Sequence, residues 1–416
     1  MNILLVNPNR YQHPPVPPVG LEYIAGDLAA AGHSPEILDL CFSEGPYDDL
    51  DRTILSFAPD VVGITVRNID TVLYPSNEFF LDDIKSLVEH IRKKYCLKVV
   101  IGGAGVSADP QGVLEYLGAD CAVAGPGEGV GIEVLTGVTA ATFSNGVYER
   151  KHTHEISCPR LTAGIDYPRY AANGGIAGFE THKGCSSSCI YCIEADTCVS
   201  FRKIPEVIRD IQGLAAQGIT RFHLCDPEFN EDLDYSLDFL KALKESRLGI
   251  EWALYLKPSN YNRKIFQLMR ETGVSLITLT VDSWKKCPLY WTDIEKIIFS
   301  ARSNNIKIAV DFLTGFPYEE EDTLLFYLDF FRRLQPDDVG INTCLRLYRG
   351  LKVYDIISRD SELARNIIYD VHGESGDRML HPAFFINISQ ERLRELINGD
   401  PLFRIEGITK GVNYSR

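Results

Sequence analysis

A chain of 416 residues, 45% hydrophobic and with a formal net charge of −15, is long enough for two or three domains and apolar enough to give each an ordinary core. The charge argues against a general binder of nucleic acid or of anionic membranes, both polyanions, and no apolar run approaches the ~20 residues of a membrane span. Met1-Asn2-Ile3-Leu4-Leu5-Val6 reads as a first strand and not as a signal peptide, and eleven cysteines without a secretory leader suit a reducing, cytoplasmic interior.

Residues 2–7 form an apolar strand, and a turn rich in proline (Pro14, Pro15, Pro17, Pro18) precedes a helix over 19–31. Strands at 34–39, 61–66, 99–102 and 121–124 then alternate with helices near 47–57, 81–95 and 111–117. Strand-then-helix alternation with near-continuously apolar strands predicts a parallel, doubly wound, Rossmann-like sheet over residues 1–135. Ligands of such sheets sit at the carboxyl ends of the strands. Here those ends are the segments 7–20, 67–75, 102–110 and 125–129, whose glycines let a bulky ligand approach the backbone.

Residues 136–165 lose periodicity and read as a small hairpin, turning at Asn145-Gly146, plus a linker. His152 and His154, with Cys158 after them, have no second ligand cluster nearby, and the histidines read as solvated side chains rather than a metal site. Over 166–350 the alternation resumes. A strand at 175–181 is followed by a helix at 204–217, a strand at 221–225, a helix at 235–246, a strand at 251–256 and a helix at 263–272, with further strands at 276–281, 306–312 and 339–347. That makes about six parallel strands, fewer than the eight of a closed barrel, with the chemistry expected at their carboxyl ends. Residues 351–416 carry helical stretches at 352–358 and 390–398 and no catalytic motif, and are expected to cap the barrel. Tyr348, Tyr354, Tyr369, Phe384 and Phe385 either line the enclosed pocket or belong to the core.

The stretch Gly184-Cys185-Ser186-Ser187-Ser188-Cys189-Ile190-Tyr191-Cys192 sets three thiols on one loop at C-x3-C-x2-C spacing. Three thiolates can hold three corners of a [4Fe–4S] cube, and the fourth iron stays open to chelate a small ligand through an amine and a carboxylate. Structural zinc asks for a fourth ligand, and His182 is too close to Cys185 for the usual spacing. The remaining eight cysteines share no spacing and read as packing residues.

This spacing, with Tyr191 just ahead of the last cysteine, resembles the radical SAM superfamily, in which the open iron holds the methionyl end of S-adenosylmethionine (SAM). Gly102-Gly103 after one strand and Gly125-Pro126-Gly127-Glu128 after the next resemble the cobalamin-binding domain that precedes the radical SAM core in many members. Together the resemblances imply an α/β chain with a cobalamin-binding domain, a partial (β/α)6 barrel and a small C-terminal cap. Many cobalamin proteins carry Asp-x-His-x-x-Gly after the first strand. Here that loop is Asn9-Arg10-Tyr11-Gln12-His13-Pro14-Pro15, so no histidine is expected on the lower face of the corrin. Arg67, next to Asn68, is the candidate to cover that face, because a guanidinium stays protonated and does not coordinate metal. The alternative is an Arg67–Asp70 ion pair.

Further site residues follow from the same resemblance. Gly102, Gly103, Gly125, Gly127 and Glu128 would contact the corrin. Glu228, with Asp226 second, would receive the methionine ammonium of SAM; capping of the helix that follows is the alternative. Lys257 and Ser283 would bind the SAM carboxylate and ribose, and Gly315 lies in an Asp311-Phe312-Leu313-Thr314-Gly315-Phe316-Pro317 stretch, with Glu319-Glu320 behind it, that matches the family's turn beside the adenine. Arg346 and Tyr348, in Arg346-Leu347-Tyr348-Arg349-Gly350, would be catalytic residues facing the cavity, or Arg346 a surface arginine. The implied activity is C-methylation of a small metabolite or peptide: SAM is cleaved reductively to a 5′-deoxyadenosyl radical, with electrons from flavodoxin or ferredoxin, and methylcobalamin delivers the methyl group. The alternative is a radical SAM enzyme performing rearrangement, sulfur insertion or transfer of another SAM fragment with a repurposed N-terminal domain.

Overall fold

Near-continuous apolar runs at the start of the chain build a parallel sheet covered on both faces. The computed structural model describes residues 1–129, 143–149, 155–369 and 380–408. Strands β1 (Asn2–Asn7), β2 (Ser34–Asp39), β3 (Val61–Thr65), β4 (Lys98–Gly102) and β5 (Cys121–Ala124) pair in parallel in the order β2-β1-β3-β4-β5. Ile3, Leu4, Leu5 and Val6 are all buried, as a strand with helices on either side requires. The helix Leu81–Tyr95 lays Leu81, Ile84, Leu87, Val88 and Ile91 on the sheet. The strand order reverses between β1 and β3, which puts the ligand crevice where Asn7 and Arg67 leave the sheet.

The hairpin β6 (Phe143–Ser144) and β7 (Val147–Glu149) turns at Asn145-Gly146 as expected. However, β7 pairs in parallel with β5 and so extends the N-terminal sheet past residue 135. His152 and His154 lie outside the described residues. Cys158 is buried and accepts an N–H from Arg202 at 3.3 Å.

The second sheet contains β9 (Ala177–Phe179), β12 (Arg221–Leu224), β13 (Glu251–Leu256), β14 (Val274–Asp282), β15 (Lys307–Leu313) and β16 (Asp338–Asn342), all parallel, and a seventh strand, β20 (Phe403–Ile405), which pairs with β16. The C-terminal segment therefore completes the barrel sheet as well as capping it. Trp252 lies 5.6, 5.8 and 6.2 Å from the rings of Phe179, Phe229 and Phe239, and this aromatic packing fixes β9 and the cysteine loop that leaves it. Helices Pro288–Ser303 and Glu321–Leu334 fall in stretches to which the sequence reading assigned none. On the first, Leu289 and Phe299 stay exposed and blur the apolar stripe.

Three shorter strands, β8 (Glu155–Ile156), β10 (His182–Lys183) and β11 (Ser200–Arg202), make a small sheet beside the cysteine loop. The strand expected over 339–347 breaks at Thr343. Asn342 Oδ1 accepts the Cys344 N–H at 2.9 Å, a local bond that competes with the ladder. Residues Cys344–Arg346 (β17) instead pair with β19 (Ala383–Ile386), which also pairs with β18 (Ile367–Tyr369). Arg346 and Tyr348 are thereby carried off the barrel.

Candidate active site

The cysteine loop leaves the carboxyl end of β9 through β10 and is tied down along its length. Gly184 has φ +85°, and a Cβ there would stand 2.2 Å from the Cys198 carbonyl oxygen, so the loop closes only over glycine. Cys185 N–H donates to Thr197 Oγ1 at 2.9 Å, Thr197 N–H to Cys185 O at 3.0 Å and Ser186 N–H to Glu231 Oε1 at 2.6 Å. Val353 N–H, from the C-terminal segment, holds Ile190 O at 3.0 Å. Cys185, Cys189 and Cys192 are free thiols. Burial, with the Cys189 and Cys185 charges adding to it, pushes the Cys192 thiol up to about 12, so the three share one neighbourhood. Among the described residues no set of ligands is gathered for a single metal ion. Three thiols on a clamped loop fit the corners of a [4Fe–4S] cluster and supply no fourth protein ligand, which is the donor set a catalytic cluster needs.

Several residues expected to meet SAM are already engaged with the protein, and those bonds shape the strand ends. Asp226 accepts the Thr181 N–H at 2.7 Å and the Thr181 hydroxyl, and pairs with His182 Nδ1 at 3.0 Å. It anchors the start of the cysteine loop. His182 Nε2 is buried with no hydrogen-bond partner among the described residues; although burial disfavours its charge, Asp226 outweighs that and raises its pKa. Glu228 is buried at the end of β12. It does not cap the helix Leu233–Ser246, because Asp232 does so through the Tyr235 N–H at 2.8 Å. Lys257 is paired with Glu231, whose other oxygen holds the Ser186 N–H. Ser283 donates to Glu319 Oε2 at 2.6 Å, and Glu319 also accepts the Phe316 N–H at 3.0 Å and the Thr314 hydroxyl.

One carboxylate, Glu319, thus fixes the ends of both β14 and β15. Gly315 has φ +84°, and a Cβ there would stand 2.8 Å from Thr343 O, so this turn needs glycine. The Tyr191 ring lies 5.6 Å from Phe316, joining the cysteine loop to the turn. A pocket of about 230 Å³ opens between Ser283, Trp284, Phe316, Tyr318 and Glu319. Of the aromatic residues proposed to line an enclosed cavity, Phe384 and Phe385 are buried and Tyr369 is 60% exposed, which places Tyr369 on the surface.

On the N-terminal side, Gly103 (φ +108°) and Gly127 are set by packing: a Cβ on either would stand 2.6 Å from Val66 O or from Ile24 Cδ1. Among the described residues, Gly125 (φ +81°) has nothing within 4 Å of its Cβ position and Gly102 meets only Val123. These two leave the floor at the ends of β4 and β5 open to a bulky ligand, which fits a corrin. Asn68 backs onto Gly105. Arg67 is half-buried. Burial lowers its pKa, and the nearby Cys225 and Tyr170 oppose that shift. Cys225 is exposed at the end of β12. It was read as a packing residue, yet it faces the arginine across the domain boundary. Nothing in its spacing signalled this, since only the two-domain arrangement brings it there.

The two domains are joined by buried charges. Glu128 accepts from Arg202 at 2.8 Å and Lys183 at 3.0 Å, and Arg202 also pairs with Glu180. Burial would raise the Glu128 pKa, but the two cations hold it below the usual carboxylate range. Glu128 therefore bridges domains through these cations and links the β5 loop to the base of the cysteine loop. Glu22 and Arg160 form a second buried pair. Arg346 Nε binds Asp70 at 2.8 Å, with both side chains almost fully buried, and its other nitrogens donate to Leu347 O and Leu380 O. The arginine also lies 4.2 Å over the Tyr348 ring. It is not a surface residue, and Asp70, suggested as a partner for Arg67, is taken by Arg346.

Comparison with known proteins agrees with these two halves. Residues 13–135 match the B12 binding domain family and residues 179–331 the radical SAM superfamily. The chain is 24% identical to tryptophan 2-C-methyltransferase of Streptomyces laurentii, over 84% of this chain and 73% of that one. It is 23% identical to cytidylyl-2-hydroxyethylphosphonate methyltransferase of Streptomyces wedmorensis, over 76% and 73%. The solved structure of the radical S-adenosylmethionine methyltransferase TsrM from Kitasatospora setae, with tryptophan and a SAM analogue bound, superposes with a TM-score of 0.84 at 22% identity, covering 95% of this chain and 88% of that one.

Proposed function

We propose that this chain, which belongs to the radical SAM superfamily in the branch carrying a B12 binding domain, is a cobalamin-dependent C-methyltransferase acting on a small molecule. The observation that carries this reading is the three-thiol loop at the end of β9, joined through Lys183 and Glu128 to the open glycine floor of the N-terminal sheet. When bound, the cluster supplies the electron that opens SAM, and the corrin supplies the methyl group.

In this reading Cys185, Cys189 and Cys192 hold the cluster. Glu319 fixes Ser283 and the Gly315 turn as the nucleoside cradle, and Glu228 lies at the end of β12 to receive the methionine ammonium as a charge-assisted acceptor. Lys257 and Glu231 brace the loop. Gly102 and Gly125 would admit the corrin, and Arg67 would lie against it. Arg346 and Tyr348, proposed from sequence as catalytic, act in this account by holding the β3 loop and the C-terminal segment together. These interdomain bridges position the two halves, and misplacement by ~1 Å costs about a hundredfold in rate. Two relatives named for small-molecule substrates support a small molecule here. A low-potential donor such as flavodoxin or ferredoxin fits the electron requirement.

The test is anaerobic reconstitution with iron, sulfide and cobalamin, followed by SAM, reductant and candidate small molecules, beginning with tryptophan. A product heavier by one methylene supports the proposal. Failure to retain corrin, or SAM consumption that yields only rearranged or sulfur-bearing product, refutes it.

A further inference from the structure

Lys285 lies on the turn after β14 and was not singled out by its sequence. Its main chain is held at both ends: the N–H donates to Asp282 Oδ1 at 3.1 Å, and its carbonyl accepts the Tyr327 hydroxyl at 3.3 Å. Its ammonium lies 3.3 Å from Asp282 Oδ2 and 3.6 Å from Cys189 Sγ. The Asp282 side chain is itself 3% exposed, and its backbone N–H donates to the Tyr290 hydroxyl at 3.0 Å. The Tyr290 ring also lies 5.7 Å from the ammonium. A flexible lysine stem is therefore set by a buried carboxylate and two tyrosines so that its charged end meets a cluster sulfur.

The functional reading above gives Cys189 to the cluster, and the following inference rests on that reading. We propose that Lys285 tunes the cluster, donating an N–H···S bond to Cys189 and making the cluster easier to reduce. Reduction adds one negative charge to the cluster. A nearby fixed cation stabilises the reduced form more than the oxidised one, and hydrogen bonds to cluster sulfurs act in the same direction. Asp282 partly offsets the charge and fixes its place, so Lys285 is a positioning residue for electron entry and does not itself contact the substrate.

The experiment is a redox titration of the reconstituted full chain, without SAM, followed by electron paramagnetic resonance of the reduced cluster in wild type, Lys285→Met and Lys285→Arg. Iron content is measured first, and a wild-type protein that takes up no iron overturns the cluster reading and this inference together. With iron content equal, the methionine variant is expected to show a reduced-to-oxidised ratio about tenfold lower at a fixed potential, which is about 59 mV for a one-electron couple. The arginine variant stays near wild type. A midpoint unmoved in Lys285→Met, or lowered as far in Lys285→Arg, refutes the proposal, as does weaker SAM binding with the midpoint unchanged. Should Lys285→Met not take up iron, Lys285→Gln carries the same expectation and the same refutation.

Discussion

Replacing Asp70 with asparagine removes one charge from the Arg346–Asp70 bridge and little else. The Val72 N–H, which donates to Asp70 Oδ1 at 2.7 Å, keeps an amide oxygen to bind. Arg346 keeps its two carbonyl partners, Leu347 and Leu380, but its buried charge loses its counter-ion. Removing one partner of a buried pair costs about 3–5 kcal/mol, roughly a 10²- to 10⁴-fold rise in the opening equilibrium of the contact. Hydrogen exchange is the assay. The Ser76 N–H, donating to Gly407 O at 3.2 Å, and the Leu347 N–H, donating to Ala383 O at 2.9 Å, should both exchange faster by about that factor, while amides of the Trp252 core stay protected. The double variant Asp70→Asn/Arg346→Met should recover much of the loss, because no unpaired charge remains. Unchanged exchange at Ser76 and Leu347 in Asp70→Asn would refute the bridge and return Arg346 to the list of residues available to substrate.

Two further outcomes follow from the site. Glu128 has a depressed folded pKa, so its stabilisation is complete above the unfolded carboxylate value of about 4.3 and fades as pH falls through the folded one. The melting-temperature gap between wild type and Glu128→Gln should therefore be constant above about pH 5 and close below about pH 4; a gap that widens on acidification contradicts the assignment. Glu319→Ala strips Ser283, Thr314 and the Phe316 N–H of one shared acceptor, at about 1–3 kcal/mol for each buried donor left unsatisfied. SAM affinity, read by equilibrium dialysis, should drop at least tenfold, and a wild-type dissociation constant would remove Glu319 from the nucleoside cradle.

Local signals in the sequence were enough for the alternation of strands and helices, the carboxyl-end rule and the three-thiol loop. The helix Leu81–Tyr95 carries an unbroken apolar stripe, and Gly184 and Gly315 mark turns that close only over glycine. What sequence patterns did not reveal depends on partners far along the chain. Asp226 is claimed by Thr181, some 45 residues away, and Arg346 by Asp70, some 276 away; no periodicity reports such pairings. Helix Glu321–Leu334 went unassigned because Leu325 and Phe326, half-buried and exposed, add apolar residues off the stripe of Leu324, Tyr327, Leu328 and Phe331 and blur the 3.6-residue period. The seventh barrel strand, Phe403–Ile405, is only three residues long, too short for alternation to register. Lys285 and Cys225 became visible only once the cysteine loop and the domain boundary were placed.

The measurement that bears most directly on the whole account is iron and sulfide content, with the electron paramagnetic resonance spectrum of the reduced protein recorded before and after adding SAM. The account predicts about four irons per chain, a signal that changes when SAM binds the open corner, and loss of both in Cys185→Ala/Cys189→Ala/Cys192→Ala. Zinc in place of iron in anaerobically purified protein, or iron retained by the triple variant, would contradict it.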